Sequence, residues 1–170
     1  MKDLSYLEHK QQSPQSVNCA ILVISDTRTE KTDESGQLLK QKLSENGHHL
    51  ISYALLKNDA DAIRKKLDEL LGDAGVQVII ASGGTGLSHR DLTIETVSPM
   101  LEKKLDGFGE LFRSLSYQEI GTSGILSRAL AGVVRSKVIL CLPGSLGATK
   151  LALDKIILPE IGHMVREATR

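Results

Sequence analysis

The sequence has no excess of either charge. Lys and Arg together number 21, and Asp and Glu also number 21. A nucleic-acid-binding domain carries a basic excess or a basic stripe, because it has to neutralise backbone phosphates. The one compact basic cluster, residues 64–66, falls on the polar side of a predicted helix and is interpreted as a solvated face. The balance therefore argues against a dedicated DNA or RNA binder.

Long apolar runs and cysteines are scarce as well. No apolar run approaches the ~20 residues that a membrane-spanning helix needs. The first residues, MKDLSYLEHKQQSPQS, contain no apolar core of the secretory type, so we expect no signal peptide. The two cysteines, Cys19 and Cys141, each lie within an apolar run, and we expect both thiols to be reduced, buried and inert. These features predict a cytoplasmic protein without membrane contact.

The length of 170 residues fits one domain with a normal core. Residues 1–16 are polar and rich in glutamine, and Ser13-Pro14 lies near their end, so we interpret them as an N-terminal arm. No internal repeat, low-complexity tract or linker follows. Residues 17–170 are therefore predicted to form a single domain.

Two hydrophobic periods alternate along that domain. Continuous apolar runs such as residues 19–24 are typical of strands buried on both faces. Between them, apolar residues recur at helical spacing, as in Ile63, Leu67, Leu70 and Leu71. Strands that alternate with helices predict an α/β fold with a mostly parallel central sheet covered on both faces. The predicted strands are residues 19–24, 50–56, 76–81, 131–134 and 137–142.

A glycine-rich turn follows the third predicted strand, in the sequence Ser82-Gly83-Gly84-Thr85-Gly86. Glycines permit positive φ and let backbone N–H groups approach an anion closely, which suits a phosphate. The alternative is a tight turn that needs glycine for its shape alone. The neighbouring Arg90 and Asp91 favour the phosphate interpretation. The turn is neither a P-loop nor a GxGxxG fingerprint, which argues against a dinucleotide-dependent dehydrogenase.

Other strand ends carry the same chemistry. Ser25-Asp26 follows the first predicted strand, Asp59 the second, and Pro143-Gly144-Ser145 the last. In open α/β sheets, ligands bind outside the carboxyl ends of the strands. We therefore expect these residues and the glycine-rich turn to surround one ligand site.

Asp59 and Asp91 are the candidate metal ligands and catalytic residues. Nucleotidyl transfer uses Mg²⁺ bound to phosphate oxygens, and proteins usually hold that ion with one or two carboxylates plus water. Asp59 has an alternative role as a helix cap, because a helix is predicted to begin just after it. Arg90 is open to two interpretations, as a clamp on a phosphate or as a partner that neutralises Asp91. The five histidines show no metal-ligand spacing.

The chain resembles the MoaB/MogA family of molybdenum cofactor biosynthesis proteins over about residues 18–165. The combination of motifs is much more specific than any one of them, and residues 107–121 look closest to the MoaB branch. The motifs are ILVISDTR at 21–28, DESG at 33–36, SGGTGLSHRDLTIE at 82–95, DGFGELFRSLSYQEIG at 106–121, LSRALAG at 126–132 and LPGS at 142–145.

The resemblance implies a three-layer α/β sandwich with the molybdopterin-binding, MogA-like fold, assembled as a homotrimer or homohexamer. It implies Mg²⁺- and ATP-dependent adenylylation of molybdopterin, with possible contacts to other proteins of the cofactor pathway. By motif position, Asp59 and Asp91 match the family's essential acidic residues, although the proline that commonly precedes the first is Asn58 here. Thr85 matches the glycine-loop threonine, Ser116 a serine near the pterin phosphate, and Ser127-Arg128 a second site motif.

Two functions follow from this resemblance. Some MoaB-type proteins are thought to lack adenylyltransferase activity, and their glycine loop departs from the Arg-Asp pattern. This chain keeps Arg90-Asp91 followed by Thr93, as competent members do, so we expect an active enzyme. The alternative is a protein of the same pathway that binds and carries molybdopterin without catalysis.

Overall fold

The fold is built on a six-stranded sheet with strand order β2-β1-β3-β6-β5-β4 in a computed structural model that describes residues 10–170. The first four of these strands are parallel, and β5 and β4 extend the sheet in antiparallel pairings. The strands are β1 Asn18–Ile24, β2 His49–Leu56, β3 Val78–Ser82, β4 Lys103–Lys104, β5 Leu130–Val134 and β6 Lys137–Leu142.

Six α-helices connect or follow the strands. Short 3₁₀ segments, Ser98–Met100 and Gly121–Leu126, follow α3 and α4, and a π-helical turn, Leu153–Ile157, separates the last two helices. The helices are α1 Glu34–Glu45, α2 Ala60–Gly72, α3 Thr93–Val97, α4 Asp106–Ile120, α5 Leu146–Ala152 and α6 Leu158–Ala168.

Side chains that alternate along the strands divide the core into two layers. Ile21 and Ile80 face one side, where α1, α4, α5 and α6 pack, and Leu22 and Ile79 face the other, where α2 and α3 pack. Each fully buried aliphatic side chain of this kind contributes roughly 1.5–3 kcal/mol. The predicted three-layer α/β sandwich with a mostly parallel sheet is therefore confirmed.

The helix ends follow from local sequence. Asp33 caps α1 by accepting a hydrogen bond from Gly36 N at 3.0 Å, and Gly47 takes φ +78° just after that helix ends. Pro159 lies in the first turn of α6, where its missing N–H costs no helical hydrogen bond, and the π-helical turn precedes it.

Two local expectations differ from the structure. A threonine at the start of a helix is a common N-cap, but Leu92 holds the cap position of α3 and the Thr93 hydroxyl donates to Gly83 O at 2.7 Å. The Thr93 side chain therefore secures the glycine-rich turn instead of capping the helix. The strand β4 was not predicted, because its two exposed lysines show no apolar pattern.

The predicted arm is described in part, since residues 1–9 lie outside the described residues. Its remaining part contacts α6: Lys10 Nζ lies 2.5 Å from Glu160 Oε1, and Arg166 Nη2 donates to Gln12 Oε1 at 2.9 Å. A side chain at Gly162 would meet Pro14 O at 2.2 Å. Residues 10–16 therefore pack against the C-terminal helix.

Candidate functional site

The parallel strands β1, β3 and β6 end at the same edge of the sheet, and a cavity of about 400 Å³ lies there. β2 and β3 lie on opposite sides of β1, so the strand order reverses between β1 and β3. Ligands in open α/β sheets bind at the carboxyl end of such a reversal. The residues that line the cavity are Ile24, Ser25, Asp26, Thr27, Arg28, Asn58, Gly83, Gly84, Thr85, Gly86, Asp91, Leu126, Pro143 and Gly144.

The glycine-rich turn requires glycine at two positions for conformation and space. Gly83 and Gly84 have φ of +101° and +65°. A Cβ at Gly83 would lie 2.1 Å from Ile24 O, and one at Gly84 would lie 2.4 Å from Asn58 Oδ1 and from Thr93 Oγ1. The backbone of the turn therefore packs directly against neighbouring residues and leaves no room for a side chain at these two positions.

Three amides of the turn are available to a ligand. Gly83 N donates to Leu142 O at 3.0 Å, but within residues 10–170 the amides of Gly84, Thr85 and Gly86 donate to no protein acceptor. Unpaired amides at a cavity wall are suited to an anion. The predicted glycine-rich turn therefore has backbone N–H groups that are free to bind a ligand.

Asp91 lies beside these amides. Its Oδ2 accepts a hydrogen bond from Ser88 N at 3.1 Å, and a Cβ at Gly86 would approach the same oxygen to 2.6 Å. The carboxylate is thereby fixed at the wall of the cavity, where its charge faces the ligand space.

Asp26 is a second carboxylate of the cavity. The backbone N–H of Asn58, 3.0 Å from Asp26 Oδ1, holds the pKa of the Asp26 carboxyl below its ordinary value. The Asn58 amide and the positive charges of Lys57 and Arg90 act in the same direction. Arg90 therefore influences this carboxylate, and Asp26 is negatively charged at neutral pH.

Asp59 lies outside the cavity lining and is exposed. Its carboxylate caps α2 by accepting a hydrogen bond from Ala62 N at 2.7 Å. The capping role that the sequence allowed is present, and the pairing of Asp59 with Asp91 at a metal ion stays a prediction. The carboxylates that line the cavity together are Asp26 and Asp91.

Of the predicted serines, Ser25 lines the cavity and the other four do not. Ser82 is fully buried at the end of β3, and its Oγ has no partner within the described residues. Ser116 Oγ donates to Phe112 O within α4 at 2.8 Å, and Ser145 caps α5. Ser127 follows the 3₁₀ segment and donates its backbone N–H to Gly124 O at 3.0 Å.

Arg128 supports the glycine turn from outside. Its Nη1 donates to Gly86 O at 2.8 Å, and its Nη2 pairs with Glu95. Arg90 is exposed, and its backbone N–H donates to Ser88 Oγ at 3.2 Å. Neither arginine lines the cavity.

Sequence reasoning missed several lining residues, of which Arg28, Asn58 and Leu126 contribute distinct chemistry. Arg28 is part of the quoted motif ILVISDTR and follows the predicted Ser25-Asp26, which was a usable signal. Asn58 was noted as a departure from the family's proline. Leu126 comes from the 3₁₀ segment after α4 and begins the quoted motif LSRALAG, next to the predicted Ser127-Arg128, which was also a usable signal.

The donor set fits a hard divalent ion such as Mg²⁺. The cavity provides two carboxylates, and Asn58 Oδ1 is a buried oxygen without a donor in the described part of the chain. Mg²⁺ prefers oxygen ligands and usually needs one or two carboxylates beside water and phosphate. No group of three or more His, Cys, Asp or Glu side chains forms a metal cluster among residues 10–170.

A larger cavity, about 670 Å³, lies beside β4 and α6 and shares no lining residue with the first. Its wall includes Leu105, Phe108, Leu111 and Met164 and is mainly apolar. It contains neither the glycine-rich turn nor the residues that follow β1 and β6, so the smaller cavity is the candidate site.

The chain matches the family model of the probable molybdopterin binding domain over residues 20–163. The match covers most of the chain, so the protein belongs to this family, and the resemblance to MoaB/MogA proteins is confirmed. Among residues 10–170, no helix has the length and apolarity that crossing a membrane requires.

Individual relatives agree with this assignment. The chain is 49% identical over 168 residues to molybdenum cofactor biosynthesis protein B of Bacillus cereus, covering 98% of this chain and 99% of the relative. It is 46% identical over 165 residues to the Bacillus subtilis protein of the same name, covering 96% and 97%.

Solved structures give the same result. A crystal structure of a molybdenum cofactor biosynthesis protein B superposes with a TM-score of 0.88 at 49% identity, covering 92% of this chain and 98% of the other. The tungsten cofactor synthesizing protein MoaB from Pyrococcus furiosus superposes with a TM-score of 0.84 at 34% identity, covering 93% and 100%.

Proposed function

We propose that this protein acts in molybdenum cofactor biosynthesis by adenylylating molybdopterin with ATP and Mg²⁺. The observation that carries the proposal is the shared cavity, in which three unpaired amides of the glycine turn lie with Asp26 and Asp91. The proposal further includes that the reaction takes place in the cytoplasm and in a single domain of residues 17–170, with residues 1–16 as a polar arm.

The reaction needs orientation and charge stabilisation rather than a covalent enzyme intermediate. The terminal phosphate of molybdopterin attacks the α-phosphorus of ATP, a new P–O bond forms there, the bond from that phosphorus to the oxygen bridging the α- and β-phosphates breaks, and pyrophosphate leaves. Two anionic substrates must be held in line, and holding them supplies much of the rate enhancement. The amides of Gly84, Thr85 and Gly86, which line the cavity, would donate hydrogen bonds to phosphate oxygens.

The carboxylates have the complementary role. Asp26 and Asp91 would hold Mg²⁺, directly or through water, and Asn58 Oδ1 offers a further oxygen. When bound, the ion neutralises phosphate charge. Arg128 keeps the turn in place through Gly86 O. Several predicted substrate-binding residues do not line the cavity of a single chain, among them Ser116, Ser127, Arg128 and Ser145.

A homo-oligomer, trimer or hexamer, is part of the proposal, as are contacts with other proteins of the pathway. Large apolar side chains are exposed on α4 and the segment that follows, including Tyr117, Ile120 and Ile125. Exposed apolar surface of this kind is typical of interfaces. Light scattering on the purified protein measures the assembly, and a monomeric mass would contradict this part.

Charge-removing variants test the catalytic assignment. We expect Asp91→Asn and Asp26→Asn each to reduce pyrophosphate release from molybdopterin and Mg·ATP by roughly 10²-fold or more, as the loss of other transition-state charge stabilisers does. Asp61→Asn, an exposed change on α2, is the control and should keep full activity.

Asp59→Asn distinguishes the two candidate pairs, because Asn caps a helix as well as Asp does while removing the charge. Loss of activity in Asp59→Asn would indicate that the Asp59 carboxylate holds the metal ion. Full activity of Asp91→Asn would contradict the proposal. A wild-type protein that binds molybdopterin without ATP and releases no pyrophosphate is the non-catalytic carrier.

A further inference from the structure

Arg28 introduces positive charge into a cavity that otherwise has negative and neutral walls. Among the described residues that line the cavity, it is the only lysine or arginine, and it faces the same space as Asp26 and Asp91. Its side chain is 29% exposed, so a ligand in the cavity can reach the guanidinium.

The guanidinium is anchored to the opposite loop with donors to spare. Arg28 Nη2 donates to Gly144 O at 2.8 Å, and Nη1 donates to Ser35 Oγ at 3.3 Å. Ser35 Oγ in turn donates to Gly144 O at 2.8 Å. Guanidinium carries five N–H donors, and these two bonds leave the others, including Nε–H, for a ligand.

A buried carboxylate orients the Arg28 guanidinium without using any of its hydrogen-bond donors. Asp33 is 1% exposed, and its Oδ1 lies 3.6 Å from Arg28 Nη1, which is beyond hydrogen-bond distance. Asp33 is itself fixed by Gly36 N at 3.0 Å and by the Tyr53 hydroxyl at 2.7 Å. Its charge therefore holds the guanidinium in place, while the remaining donors stay available.

We propose that Arg28 binds a phosphate of the substrate in this cavity. The inference rests on the proposed function, in that the cavity takes a phosphorylated ligand. A planar fork of donors suits phosphate oxygens better than a point charge does. The phosphate has two possible sources, the polyphosphate of the nucleotide and the terminal phosphate of the pterin.

Calorimetric titration of Arg28→Gln tests this role, with Arg64→Gln on the exposed side of α2 as the control of equal charge change. We expect Arg28→Gln to weaken binding of the relevant phosphorylated ligand by roughly 10- to 100-fold, the usual effect of losing a charged hydrogen bond. The control should bind as the wild type does. Separate titrations with Mg·ATP and with molybdopterin identify which phosphate Arg28 contacts.

Adenosine separates binding from structural support, because it shares the base and ribose of ATP but has no phosphate. Ligand-observed NMR should show equal adenosine binding by the wild type and Arg28→Gln. Equal weakening of adenosine and ATP would make Arg28 a structural residue and overturn the inference, as would unchanged binding of both phosphorylated ligands. Arg28→Lys keeps the charge, so it should recover part of the loss and serves if the Gln variant fails to fold.

Pyrophosphate distinguishes this inference from the proposed function. If the wild type binds pyrophosphate and Arg28→Gln does not, while neither ATP nor molybdopterin binds, Arg28 keeps its role and the proposed function fails. If the wild type binds ATP or molybdopterin and Arg28→Gln binds equally well, the proposed function stands and the Arg28 role fails. If the wild type binds none of these ligands, both fail.

Discussion

Single residues in this fold have roles that their neighbours decide. Asp26 and Asp59 both follow parallel strands, yet one faces the cavity and the other caps α2. Cys19 and Cys141 are free and buried as expected, and burial raises the pKa of each thiol to about 12. Both thiols are therefore protonated and weakly nucleophilic at neutral pH.

His48 links stability to pH. It is 8% exposed and accepts a hydrogen bond from Val17 N at 3.3 Å, which requires an unprotonated Nδ1. Burial, together with the charge of His49, lowers the pKa of His48 below its ordinary value of 6.5. The unfolded chain therefore takes up the proton first, and we expect the free energy of unfolding to fall as the pH drops below about 6.5.

Urea unfolding across that range measures this effect. His48→Asn retains a side-chain acceptor and removes the titration, so its stability should depend less on pH than that of the wild type. His89→Asn, at an exposed position, is the control and should leave the wild-type dependence unchanged. An identical pH dependence in His48→Asn and the wild type would contradict this assignment.

At the scale of elements, the spacing of apolar residues predicted the parallel strands and the apolar face of α2. β1, β3 and β6 lie where continuous apolar runs occur, because strands buried on both faces must be apolar throughout. The strand β4 has two exposed lysines and exists through its pairing with β5, which local sequence does not encode. Leu126 reaches the cavity for a similar reason, since tertiary packing places the 3₁₀ segment there.

The glycine turn is the element on which the site depends most. Gly84→Ala would place a Cβ 2.4 Å from two side-chain oxygens at a positive φ. We expect a loss of roughly 1–3 kcal/mol in stability and weaker binding of Mg·ATP, because strain displaces the free amides.

Gly107→Ala is the matched control for that change. A Cβ at Gly107 meets nothing within 4 Å, and the residue lies in the first turn of α4, so alanine should leave binding intact and should not lower stability. Thermal unfolding and calorimetry measure both quantities. Wild-type stability and binding in Gly84→Ala would show that the turn tolerates displacement.

At the scale of the whole molecule, the sheet topology brings separate parts of the sequence to one edge. The ends of β1, β3 and β6 meet there because the strands are parallel, and this convergence was predictable from the alternation of strands and helices. Which carboxylates face inward was not predictable, since it depends on loop conformations such as the Asp26–Asn58 contact. The proposed oligomer likewise depends on surfaces that sequence periodicity does not define.

The central claim is that the free amides of the glycine turn bind the phosphates of Mg·ATP. Titration of ¹⁵N-labelled protein, followed by transverse-relaxation-optimised NMR, measures this directly and needs no catalytic turnover. The account predicts that the amide signals of Gly84, Thr85 and Gly86 shift most, together with Asp91. Unchanged signals there, with the largest shifts instead around Leu105 and Met164 in the larger cavity, would contradict it.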